Sequence, residues 1–83
     1  MTIVRIPATF ADDRYWRELP MGTILRQTRT HWTCDMDADT LADLKGDADY
    51  YVDAWKNGGL DRSVHNIARS AERTLAAIER ITT

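Results

Sequence analysis

The chain predicts an α+β domain in which a small antiparallel sheet of two to three strands packs against a C-terminal antiparallel helix pair. Two observations carry that prediction. Residues 31–36 alternate, with Trp32, Cys34 and Met36 on one side and His31, Thr33 and Asp35 on the other. From residue 37 onward, apolar residues recur at three- and four-residue intervals in two runs separated by Asn57-Gly58-Gly59. Strand and loop therefore occupy residues 1–36 and a helical hairpin residues 37–83, within one domain of 83 residues.

Taken in order, Thr2–Ile6 reads as a short strand, rich in β-branched residues and ended by Pro7. Ala8–Leu19 has two readings, a short irregular helix or an ordered loop. Leu19-Pro20-Met21-Gly22 is a turn, because Pro presets φ and Gly closes it. Thr23–Gln27 and His31–Met36 are strands, with Thr28-Arg29-Thr30 as their hairpin connection; a bent continuous strand is the alternative, since no Asn-Gly or Asp-Gly signal is present.

Asp37 or Asp39 caps the first predicted helix, whose inner face is Leu41, Leu44, Ala48, Tyr51, Val52 and Trp55. Gly46 is a weak spot within it, and Asn57-Gly58-Gly59 is its C-terminal cap. Asp61 caps the second, whose stripe is Val64, Ile67, Ala71, Leu75, Ile78 and Ile81.

Cys34 is the only cysteine, so no intramolecular disulfide forms, and its presence suits a reducing compartment. No apolar stretch at the N-terminus suits a signal peptide, and none reaches the roughly 20 residues of a membrane span. The expectation is a cytoplasmic protein with no membrane contact. The formal net charge of −2 conceals segregation. Residues 1–34 hold five Arg against three carboxylates, residues 35–61 eight Asp against two Lys, and residues 62–83 four Arg against two Glu. An acidic middle lies between two basic ends.

Catalytic and metal chemistry finds little footing. Asp35-Met36-Asp37-Ala38-Asp39 opens like a calcium loop, but the sixth position is Thr40 and the twelfth Gly46, where such loops need Gly and Glu. His31 and Cys34 form one His-x-x-Cys pair without a second, and on a strand they face opposite ways. Ser63 and His65 stand about 160° apart on a helix, too far round to act as nucleophile and base. Gly58-Gly59 precedes a helix, but Asp61 there would repel an anion. No cofactor is expected, and the protein reads as a non-enzyme.

In Ile6-Pro7-Ala8-Thr9-Phe10-Ala11-Asp12-Asp13, Leu19-Pro20-Met21-Gly22, Arg26–His31, Leu41–Tyr51 and Ser70–Leu75, which are spread over most of its length, the chain resembles a set of small uncharacterised proteins of actinobacterial phages. The resemblance implies a phage-type accessory protein acting in the bacterial cytoplasm, and it brings no activity or site residue with it.

Two charged surfaces remain. On the first predicted helix, Asp39, Asp43 and Asp53 form an acidic ridge with Tyr50 among them, flanked by Asp47 and Asp49. Its i,i+4 carboxylate pairs each cost ~0.2–0.5 kcal/mol, so the ridge reads as a docking surface for a basic partner or as a face neutralised by nearby Arg. On the second, Arg62, Arg69, Arg73 and Arg80 fall within about 20° of one line opposite the apolar stripe. The leading expectation is a protein that binds a host or phage protein through the ridge. The alternative is nucleic-acid binding through the Arg stripe, against which the net charge counts. A third is a homo-oligomer joining ridge to stripe. Tyr15, Trp16 and Tyr50 are the interface anchors if exposed.

Overall fold

A computed structural model describes residues 2–59 and 61–82, with the side chains of Ser63 and Thr82 outside the description. The chain runs β1 (Thr2–Pro7), α1 (Ala8–Trp16), β2 (Thr23–Gln27), β3 (His31–Met36), α2 (Ala38–Lys56), a 3-10 turn (Arg62–Val64) and α3 (His65–Thr82). This is an α+β fold with a three-stranded antiparallel sheet and three helices, the last two packed together.

The sheet order is β1-β3-β2, so the alternating strand His31–Met36 is central. Its Trp32, Cys34 and Met36 are buried, whereas His31, Thr33 and Asp35 stand on the outer face. Val4 and Ile6 of β1 join the buried side, together with Phe10, Leu44, Ala48, Ala71 and Ile78 from the helices. Each large apolar side chain fully removed from water there contributes roughly 1.5–3 kcal/mol.

The Thr28–Thr30 connection is confirmed as a hairpin loop, held by its first hydroxyl. Thr28 Oγ1 donates to the His31 carbonyl at 2.9 Å and accepts the His31 N–H at 3.0 Å. A bulge interrupts β2 between Ile24 and Arg26. Ile24 lies opposite Cys34 on the inner side and Arg26 opposite Thr33 on the outer, so two residues that would share a face in a regular strand are split.

The ambiguous stretch after Pro7 is a helix. Phe10, Ala11 and Arg14 are its buried positions, and Pro7 serves both as the last residue of β1 and as the helix N-cap. Its C-terminus closes with the Glu18 N–H on the Tyr15 carbonyl at 3.1 Å and the Leu19 N–H on the Arg14 carbonyl at 3.1 Å. Glu18 adopts φ 59°, the left-handed conformation such a cap requires. Gly22 begins the return into the sheet at φ 69°, and a Cβ there would stand 2.3 Å from the Asp35 carbonyl oxygen, so only glycine fits.

Asp37, not Asp39, caps α2. Its carboxylate accepts the Thr40 N–H at 2.7 Å, which holds its pKa below the ordinary aspartate value. The helix ends as expected at Asn57-Gly58-Gly59, with the Gly59 N–H on the Ala54 carbonyl and the Gly58 N–H on that of Trp55. Asp61 departs from expectation: its side chain makes no cap bond, and a 3-10 turn precedes α3. In α3 the predicted stripe packs on the core through Ile67, Ala71, Leu75 and Ile78, and the buried face is wider than predicted. Ala68, Ser70 and Thr74 are buried, the Thr74 hydroxyl donating to the Ser70 carbonyl at 2.8 Å, while Ile81 is exposed. Among the described residues no helix is long and apolar enough to cross a membrane.

Candidate functional site

The acidic ridge has an internal partner. Arg14 of α1 is fully buried, and its guanidinium donates to Asp47 Oδ2 and Asp43 Oδ2, each at 3.0 Å, and to the Pro20 carbonyl at 2.7 Å. Arg17, one turn away, pairs with Asp13 at 2.6 Å and Asp47 at 2.9 Å and lies 5.4 Å over the Tyr51 ring. Lys45 approaches Asp49 at 3.9 Å. The like-charge spacing of Asp43 and Asp47, unfavourable on an isolated helix, is what clamps the Arg14 fork. Of the predicted ridge, Asp39, Asp53 and Tyr50 remain exposed, Asp39 in the first turn of α2 where the helix dipole favours it. Asp43 keeps about half its surface but is engaged by Arg14.

The Arg stripe is also rearranged. Arg62 lies in the 3-10 turn and not on α3, so the four side chains do not form one helical line. Arg69 is exposed. Arg73 and Arg80 lie beside the β1 edge, where α3 packs, and line a hollow of about 270 Å³ with Arg5, Pro7, His31 and two small residues, Ala76 and Ala77.

That hollow adjoins a second, of about 360 Å³, lined by Arg5, Arg26, Thr28, Thr30, His31 and Thr33. The sheet register builds it. Arg5 and Arg26 sit opposite Thr33 from either side, forming a row across all three strands, and Pro7 pairs with His31 in the next row. His31 Nδ1 lies 3.1 Å from Thr30 Oγ1. The result is a basic surface running from β2 across the outer sheet face to α3. Among the described residues, no Asp or Glu lines either hollow. The face's carboxylate, Asp35, lies one row away, opposite Ile3 and Thr23. Among the described residues no ion pair engages Arg5, Arg26 or Arg73, in contrast to Arg14 and Arg17.

Arg5, Arg26 and His31 were outside the predicted site. Arg5 and Arg26 are 21 positions apart, and only register brings them together. The legible hint was the alternation that turns His31 and Thr33 to the outer face of β3.

Cys34 is buried at the sheet centre, and burial pushes its thiol pKa up, which makes it a core residue and a poor nucleophile. His65 lies against Trp55 with ring centres 6.2 Å apart, while the side chain of Ser63 lies outside the described residues. Among the described residues no three His, Cys, Asp or Glu side chains gather as metal ligands. Tyr15, Trp16 and Tyr50 are exposed.

Comparison of the chain with protein-family models, with curated proteins and with solved structures yields no match.

Proposed function

We propose that the protein binds the phosphate backbone of nucleic acid through the outer sheet face and the adjoining side of α3. The observation that carries this reading is the row Arg5–Thr33–Arg26, extended at the β1 edge by Arg73, with no Asp or Glu among the described residues that line either hollow. Guanidinium forks match phosphate oxygens two at a time, and threonine hydroxyls add neutral donors. Among the described residues that line the surface the His31 imidazole is the one aromatic ring, so it offers backbone contacts and little base stacking. Binding of this kind is independent of sequence. The net charge of −2 weakens steering at long range. At contact, the local row governs, because part of the acidic charge is already spent on Arg14 and Arg17.

Fluorescence anisotropy with a labelled DNA duplex tests the reading. Three or four phosphate contacts predict a slope of about −2.7 to −3.6 for log K against log salt concentration. The Arg5→Glu/Arg73→Glu variant loses binding, and Arg62→Glu/Arg69→Glu retains most of it. Absence of binding at low salt, or equal affinity in the Arg5→Glu/Arg73→Glu variant, overturns it.

A second reading, docking on a basic host or phage protein, is favoured by one observation. Tyr50 is 66% exposed beside Asp49 and Asp53, over a hollow shared with Val52 and Leu75. This suits the accessory role that the phage resemblance implies. Tyr50→Ala/Asp53→Lys leaves DNA affinity unchanged under the first reading and abolishes partner capture under the second.

A further inference from the structure

We propose that the open margin of the fold, where α1 faces β2, docks an extended partner segment that combines apolar and cationic residues. The helices pack chiefly on β1 and β3, and β2 has no fully buried residue. Beneath it lies a hollow of about 510 Å³ lined by Tyr15, Trp16, Leu19, Met21 and Ile24. Trp16 is 78% exposed and Tyr15 56%, yet Tyr15 is held edge-on against Trp32 with ring centres 5.8 Å apart. A fixed aromatic beside an exposed tryptophan is the composition of an interface anchor.

The charges around the hollow choose its occupant. Glu18 is the one charged residue in its lining, and Asp12 stands one helical turn before Trp16 on the same side of α1. Both are exposed, and among the described residues neither is engaged by an ion pair. Glu18 also holds a left-handed backbone that glycine would adopt without strain. Two carboxylates bracketing an indole attract a cation to the face of the ring, while the neighbouring apolar side chain enters between Leu19, Met21 and Ile24. The bulge at Leu25, in the ladder that β2 shares with β3, breaks the regular alternation of β2, so its unpaired edge is an irregular template for another strand. Recognition therefore rests on side chains more than on an added strand.

The test is a titration of the ¹⁵N-labelled chain with an acetylated, amidated peptide of alternating leucine and lysine. Its counterpart with glutamate for lysine is the control. Saturable shifts are expected at the Trp16 indole N–H and at the Met21 and Ile24 amides, with none from the control. Asp12→Lys/Glu18→Lys and Trp16→Ala each weaken binding about tenfold or more, with unchanged circular dichroism. No shift up to millimolar peptide, an equal response to the glutamate peptide, or shifts confined to the acids of α2 overturns the proposal. So does a dimer whose formation moves these resonances without peptide, which assigns the hollow to a second copy. DNA affinity is read on other residues, so the two proposals fail separately.

Discussion

Arg14 places a full positive charge where water does not reach, and Asp43, Asp47 and the Pro20 carbonyl answer it. Its Nε has no partner among the described residues, so the solvation is carried by the two terminal nitrogens. Such a group stabilises little relative to a well-packed apolar core, but removing one side leaves the other stranded. Arg14→Ala is therefore expected to cost about 3–5 kcal/mol in urea denaturation, Asp47 being mostly buried. Arg14→Lys recovers only part, because an ammonium cannot span two carboxylates and a carbonyl as a planar fork does. A cost below about 1 kcal/mol for the alanine variant would show that the cluster is mere surface decoration. The same residue explains why α1 resisted reading. A charge at one of its three buried positions breaks the apolar stripe by which a helix is recognised.

At the level of elements, legibility followed the strength of each local pattern. The hairpin strands, the start of α2 and its glycine cap were readable because period two, a side-chain cap and left-handed closure each leave a local mark. The turn before α3 was not, since Asp61 looks like a cap yet makes no cap bond. The basic site was half legible. Arg73 and Arg80 stood out on the sequence, but their neighbours Arg5 and Arg26 arrive through strand pairing. Arg26 reaches that face only because the bulge reverses the alternation of β2. The predicted weak spot in α2 gives a test at this scale. Gly46 is exposed mid-helix, and a Cβ there would meet nothing within 4 Å. Gly46→Ala should stabilise by about 0.5–1 kcal/mol, read as a higher urea midpoint at constant slope. Destabilisation would mean that α2 is bent or contacted at that point.

Across the whole molecule, charge and packing are divided. One set of arginines, Arg14 and Arg17, joins α1 to α2, and a second lies across the outer sheet face. The core between the layers holds Cys34 on the central strand with no exposed surface. Because that thiol sits between β1 and β2 and under the helices, reagents meet it only when the sheet opens. Its labelling rate should rise with urea, and the free energy and urea dependence drawn from it should match those of global unfolding followed by circular dichroism. Labelling much faster than that would reveal an opening in which β2 detaches while β1 and the helices remain.

The close approach at Gly22 reaches into the history of the sequence. Every amino-acid replacement of a glycine adds a Cβ, and here that carbon would collide with the backbone of β3 and sit at an unfavourable φ. The geometry closes the position to any side chain. A distant cousin of this chain would then be recognised less by overall similarity than by a glycine entering the hairpin, set thirteen positions before an outward residue on the central strand.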